Sequence, residues 1–292
     1  MIPVNDTKLS PESEMSDYEL PRRHIIMTSL ITGFTLATAH ADAAPISTPA
    51  TGLTAGEVKI PVSDGELPGY RAKPEGPGPF PIVLVIEEIF GVHEYIKDVC
   101  RRLAHLGYIA IAPELYARQG DLSKMTDFRQ IIGQVISKAP DAQMMQDLDR
   151  TAAYAAGEGG DPSRLGVTGF CRGGRQTWLY AAHNPNLRAA VAWYGPLAGD
   201  RTPIQPQTAI DVAGKIYCPL LALYGGKDTS ITDANRAAAA DAAKAAGKYV
   251  QMKIYPDAQH GFHADYRPSY NAAAAKDGWQ RMLAFFKANG VA

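Results

Sequence analysis

The feature that most constrains this chain is a strict alternation of short apolar runs with longer amphipathic segments, beginning at Glu57. Glu57–Val62 and Gly69–Ala72 alternate around a Ser63-Asp64-Gly65 turn and predict a β-hairpin. Ile82–Ile86 is an unbroken run of β-branched residues and leucine, as suits a strand buried on both faces of a parallel sheet. Strands are then predicted over Tyr108–Ala112, Arg164–Phe170, Leu187–Tyr194, Ile216–Tyr224 and Tyr249–Tyr255. Helices are predicted over Glu94–His105 (stopped by Gly107), Ser123–Lys138, Asp141–Ala156, Arg172–Ala182, Thr232–Ala246 and Pro268–Asn289. Such alternation implies an α/β fold, a mostly parallel sheet with helices on both faces, and the pattern holds in one domain without internal repeats.

In open parallel sheets, ligands bind beyond the carboxyl ends of the strands, so the residues following each strand carry the chemistry. After Arg164–Phe170 stands Gly169-Phe170-Cys171-Arg172-Gly173-Gly174, a G-x-C-x-G turn. Small residues two before and two after the central residue permit a sharp strand-to-helix elbow, which presents Cys171 as a nucleophile at a helix N-terminus. The helix dipole and free N–H groups there favour a thiolate. After Tyr224 come Gly225-Gly226-Lys227-Asp228, and after Tyr255 come Pro256-Asp257-Ala258-Gln259-His260-Gly261. The order nucleophile, acid, histidine is that of α/β hydrolases, with His260 as base and Asp228 as its orienter. His263, three residues on, offers a metal pair as the alternative use, but no third ligand stands at suitable spacing, so neither metal nor cofactor is expected. After Ile86, Glu87-Glu88-Ile89 sets two carboxylates beside the cleft, and backbone N–H groups there could complete an oxyanion hole with that of Arg172.

These residues resemble the dienelactone hydrolase family, small α/β hydrolases with a cysteine nucleophile. The resemblance runs from Glu57 to the C-terminus. It rests on Glu87-Glu88-Ile89-Phe90-Gly91-Val92, Pro113-Glu114-Leu115-Tyr116-Ala117-Arg118, the cysteine elbow, Gly225-Gly226-Lys227-Asp228 and His260-Gly261-Phe262. It implies a Cys171-His260-Asp228 triad cleaving a lactone or small ester through a thioester, Glu88 holding or deprotonating the thiol, oxyanion N–H groups from Ile89 and Arg172, and Tyr116 lining the pocket. The chain departs from the family where arginines grip a substrate carboxylate. No arginine follows His260 until Arg267, and Gly120–Pro140 holds only Arg129. A general exported carboxylesterase or thioesterase, and a non-hydrolytic binding or thiol-redox scaffold, therefore stand as alternatives. Cys100 and Cys218 are expected to be buried and inert. A disulfide between them is compatible with an oxidising compartment, though no sequence feature sets its geometry.

That compartment is suggested by the first 41 residues. Arg22-Arg23, the apolar run Ile25–Ala39 and the Ala39-His40-Ala41 exit have the layout of a secretory signal, and the paired arginines with a long polar lead suggest the twin-arginine machinery as a transient partner. The run is too short for a stable membrane span. Pro45–Ala55 reads as a linker, giving a leader at 1–41, a linker at 42–55, the catalytic domain at 56–292 and a periplasmic or secreted product. With 29 basic and 30 acidic residues the chain has a net charge of -1, which argues against nucleic acid as a partner and leaves a small-molecule lactone or ester.

Overall fold

The computed structural model describes residues 45–292, so the expected leader lies outside the described residues. These residues form one eight-stranded sheet in the order β1-β2-β4-β3-β5-β6-β7-β8. The strands are β1 (Leu53–Val62), β2 (Gly65–Pro74), β3 (Phe80–Ile86), β4 (Ile109–Pro113), β5 (Gly160–Phe170), β6 (Ala189–Trp193), β7 (Leu220–Gly225) and β8 (Val250–Tyr255). The β1–β2 hairpin and the β2–β4 pair are antiparallel, and every other pairing is parallel. The central strands are buried on both faces, as their unbroken apolar runs require: β4 and β6 have no exposed residue.

Among the described residues five α-helices longer than four residues cover the sheet: α1 (Glu94–His105), α2 (Asp141–Gly157), α3 (Arg172–His183), α4 (Asp233–Ala245) and α5 (Ala272–Ala288). Helices α2 and α3 touch each other on one face, while on the other the Arg102 guanidinium of α1 stacks over Trp279 of α5. Local chemistry sets their ends. Helix α1 stops where Gly107 takes a φ of 95° and its N–H returns to the Ala104 carbonyl. Thr232 and Asn271 cap α4 and α5 by accepting the N–H groups of Asn235 and Ala274.

Two expectations are corrected. Ser123–Lys138 is not one helix but a 3-10 turn (Leu122–Lys124), a short α turn (Phe128–Gln130), a π turn (Ile131–Val135) and a second 3-10 turn (Ile136–Lys138). Asp127 starts a new turn by accepting the Gln130 N–H, and Gly133 among β-branched residues weakens the helical run around it. The stretch read as a linker is docked, and β1 begins at Leu53 inside it. The Ile46 N–H donates to Asp265, the Thr48 N–H to Asp98, and the Thr48 carbonyl accepts from Arg101 at 2.7 Å. These bonds are made by backbone groups, which composition does not reveal. No helix among the described residues is long and apolar enough to cross a membrane.

Candidate active site

The parallel registers align the carboxyl ends of five strands. Ile86 of β3 pairs with Gly169 of β5, Phe170 with Trp193 of β6, Trp193 with Leu223 of β7, and Gly225 with Tyr255 of β8. Glu87, Cys171, Tyr194, Asp228 and His260 therefore all leave the sheet along one edge.

Cys171 sits between β5 and α3 with φ 54° and ψ -119°, a backbone conformation that L residues rarely adopt. Close packing imposes it. A Cβ on Gly169 would lie 2.3 Å from the Gly173 carbonyl oxygen, and one on Gly173 would lie 2.4 Å from the Glu87 carbonyl oxygen. Only glycine permits that approach. The Cys171 N–H donates to the Trp193 carbonyl at 3.0 Å and fixes the turn to β6. The loops bearing Asp228 and His260 are stitched together in the same way. A Cβ on Gly225 would lie 2.5 Å from the Ala258 carbonyl oxygen, and the Lys227 N–H donates to that carbonyl at 2.9 Å.

This packing brings three of the expected residues into one chain of contacts. His260 Nε2 lies 3.2 Å from Cys171 Sγ, and His260 Nδ1 lies 2.7 Å from Asp228 Oδ2. The Ser230 N–H and hydroxyl donate to the other Asp228 oxygen at 2.9 and 2.5 Å. Burial works to raise the Asp228 pKa, but the charge and hydrogen bond of His260 and the Ser230 donors hold it below the ordinary carboxylate value. Burial likewise works against a charged His260. The adjoining Asp228 and Cys171 outweigh it and push the imidazole pKa up to about 10, so the ring is protonated at neutral pH.

Glu88 lies beside this chain but not in it, contrary to the expected contact with the thiol. Its buried carboxylate accepts from the Tyr266 hydroxyl at 2.5 Å and from Arg267 Nη1 at 3.5 Å, with His93 Nε2 at 3.8 Å. Burial alone would raise its pKa, yet His93, Arg267 and Tyr266 together hold it down to about 2. A buried carboxylate gains more from a cation and a donor hydroxyl than from a neutral thiol. Ile89 follows β3 and Arg172 opens α3, and among the described residues neither amide donates a main-chain hydrogen bond. Tyr116 is buried, and among the described residues its hydroxyl makes no hydrogen bond of ordinary geometry.

Three side chains at the site were not singled out by sequence reasoning. Arg267 returns to Glu88 because two turns fold the loop back, Ala264 N–H to Gly261 and Arg267 N–H to Ala264. Tyr266 comes with it. Tyr194, with φ 38°, sets its ring edge-on to His260 at 5.1 Å between centroids. A position directly after a predicted strand was the available signal for Tyr194, while the folded-back loop left none for Arg267. Arg129 is exposed on its turn. His263 is not a partner of His260. It is buried with its Nδ1 2.6 Å from the Tyr95 hydroxyl and its ring against Trp193 and Trp279. Among the described residues no group of three or more His, Cys, Asp or Glu could hold a metal ion. All three cysteines are free, with Cys100 and Cys218 buried, and burial raises the Cys218 pKa to about 12.

Comparison with known proteins gives the family. The shared sequence pattern of the dienelactone hydrolase family matches residues 67–290. A protein of Methylorubrum extorquens named "Putative carboxymethylenebutenolidase" is 57% identical over 275 residues, covering 94% of each chain. One of the same name from Escherichia coli K12 is 48% identical over 264 residues, covering 90% of this chain and 97% of that one. The crystal structure titled "Putative Dienelactone Hydrolase" from Klebsiella pneumoniae superposes with a TM-score of 0.79 at 52% identity, over 80% of this chain and 98% of that one. With an elbow, an ordered acid and a histidine at one sheet edge, and with these relatives, the chain belongs to the dienelactone hydrolase family, as a single-domain α/β hydrolase acting on ester bonds.

Proposed function

We propose that the protein cleaves a lactone or small carboxylic ester by covalent catalysis at Cys171, with His260 as proton carrier and Asp228 as its orienter. The observation that carries this is the linear chain of contacts, 3.2 Å from Sγ to Nε2 and 2.7 Å from Nδ1 to Oδ2. The Cys171 thiolate attacks the ester carbonyl, and the new C–S bond leaves a tetrahedral oxyanion. The free N–H groups of Ile89 and Arg172 receive that oxyanion, a contribution of about 10²–10³ in rate per donor. Collapse breaks the C–O bond, and the departing alkoxide takes the proton from His260 Nε2. Water then attacks the thioester, giving its proton to the neutral His260. The carboxylic acid departs, and the thiolate and imidazolium are restored. In this reading Glu88 orients Arg267 and Tyr266 beside the thiolate, rather than taking its proton.

Replacing Cys171 by Ala tests the mechanism against p-nitrophenyl acetate and an enol lactone. Loss of turnover, with a wild-type acyl adduct on Cys171 trapped by acid quench and weighed by mass spectrometry, is expected. Hydrolysis unchanged in Cys171→Ala overturns it. The Arg22-Arg23 pair, the apolar run and the Ala39-His40-Ala41 exit support export to the periplasm. A periplasmic product beginning at Asp42 is expected on N-terminal sequencing, and an uncleaved cytosolic chain would dismiss export.

A further inference from the structure

The strap over residues 46–48 lies on the surface, yet its N–H groups close a ring of buried charges. Arg102 of α1 bridges two carboxylates, with Nε 2.5 Å from Asp98 Oδ2 and Nη2 3.2 Å from Asp265 Oδ2. The strap adds a donor to each. The Ile46 N–H donates to Asp265 Oδ2 at 3.0 Å, and the Thr48 N–H donates to Asp98 Oδ1. The strap is gripped in return. The Thr48 carbonyl accepts from Arg101 Nε at 2.7 Å, and the Pro49 carbonyl lies 2.8 Å from His105 Nε2. The local sequence suits this task. Pro45 and Pro49 flank the two donors, and a residue before proline, as Thr48 is, favours extended backbone.

The two carboxylates differ in what they anchor. Asp98 belongs to α1, whereas Asp265 belongs to the loop that carries His260. Asp265 is buried, and its Oδ1 makes no hydrogen bond among the described residues. Its carboxylate is thus held through one oxygen, by Arg102 and the Ile46 N–H. Burial raises the Asp265 pKa, and the Ile46 N–H works against that ahead of the Arg102 charge. The next two residues, Tyr266 and Arg267, reach Glu88 beside the nucleophile. Main-chain bonds make the loop compact, from the N–H groups of Ala264 and Arg267 to the carbonyls of Gly261 and Ala264, both at 3.0 Å, and from the Asn271 N–H to the Phe262 carbonyl at 2.9 Å. Asp265 ties the outer turn of this loop to the strap.

We propose that Asp265 is a positioning residue for the catalytic loop and that the Ile46 N–H holds it in place, so that the segment entering the domain sets the alignment of Tyr266, Arg267 and Glu88 beside Cys171. The role of the loop rests on the cysteine-hydrolase reading, whereas the tie itself does not. A buried carboxylate that loses a donor takes up a proton or turns out to water. Either change frees the turn between Ala264 and Arg267 and carries the Arg267 charge away from the thiolate.

Proline at position 46 tests this, because Ile46→Pro deletes the N–H, whereas Ile46→Ala keeps it and trims a side chain that is 45% exposed. Ile46→Pro should lower kcat on p-nitrophenyl acetate by about 10-fold with KM little changed. It should speed hydrogen exchange at the Ala264 and Arg267 amides by about 10–100-fold, the worth of one hydrogen bond to a charged group. Ile46→Ala should match wild type in both. Asp265→Ala should reproduce the loss, and adding Ile46→Pro to it should change kcat by no more than about 2-fold. Fully additive losses overturn the proposal, as does a wild-type kcat in Ile46→Pro. So does Ile46→Ala falling as far as Ile46→Pro, since the side chain would then be the cause. Should the variants fail to fold, exchange of the wild type in dilute urea decides. The Ile46, Thr48, Ala264 and Arg267 amides should open together with one urea dependence, and a strap that opens apart from the loop overturns the tie. A wild type that turns over no ester removes the hydrolase reading first, and the tie then stands or falls on the exchange alone.

Discussion

His260 and His263 stand three residues apart on one loop, and both rings are withdrawn from solvent, yet they differ in charge. Asp228 and Cys171 lift His260 to a pKa of about 10, while burial, reinforced by the charge of Arg102, drives His263 down to about 3. His263 finds a tyrosine hydroxyl and aromatic faces where His260 finds a carboxylate. Glu87 and Glu88, adjacent and equally buried, repeat the contrast. Glu87 meets another glutamate, which with burial pushes its pKa well up, and Glu88 meets a cation and two donors, which hold its pKa down to about 2. Burial sets the cost of charge, and the partner decides whether it is met.

The strongest way to break the first contrast is Asp228→Asn, which removes His260's carboxylate and keeps its burial. The imidazole pKa should fall steeply and kcat on p-nitrophenyl acetate should drop by about 10²–10⁴. The fall is measured by steady-state kinetics, and the pKa by NMR titration of His260. A variant within 10-fold of wild type would separate the histidine's charge from its function.

The glutamates give the next effect. Glu88→Gln leaves Arg267 buried without a counter-charge and should cost about 3–5 kcal/mol in urea unfolding. Glu87→Gln removes a carboxyl whose charged form burial and Glu114 already disfavour, and should cost about 1 kcal/mol or less. Equal losses would erase the distinction.

A smaller effect distinguishes the histidines by acid. His263 is neutral in the fold and binds a proton near pH 6.5 when unfolded, so the unfolded state holds more protons between about pH 6.5 and 3. Stability from this residue is present above pH 6.5 and is lost as pH falls, by up to about 1.4 kcal/mol per pH unit. His263→Phe should flatten that slope in urea midpoints, at a loss of about 1 kcal/mol at pH 8 for the Tyr95 hydrogen bond. His260 has the opposite sign, its contribution being full below pH 6.5 and lost as pH rises through about 10. The contribution of Asp228 is present above its ordinary pKa and fades in acid.

Much of the sheet was legible because each central strand is a continuous apolar run, and Cys171, Asp228 and His260 because each lies in the connection that follows a strand. Ser123–Lys138 was misread because its apolar spacing mimics a helix, while the breaks come from the Asp127 cap and Gly133. The partners of Glu88 were out of reach because Arg267 and Tyr266 arrive through a loop that doubles back, a matter of three-dimensional turns rather than of spacing. The docking of Ile46 and Thr48 was hidden for a different reason. Their contribution is the peptide N–H, common to every residue but proline, and the carboxylates that receive it lie 219 and 50 positions away.

The elbow carries a consequence for descent. Its shape is enforced by main-chain carbonyls crowding Gly169 and Gly173, and by a hydrogen bond from the Cys171 N–H, none of which involves the sulfur. The backbone of the turn therefore does not dictate the reacting atom it presents. Sulfur can be exchanged for oxygen by a single nucleotide substitution, and the scaffold around it need not adjust. The flanking glycines have no such latitude. A lineage carrying this turn can try a new reacting atom within one generation, while the silent residues beside it stay fixed.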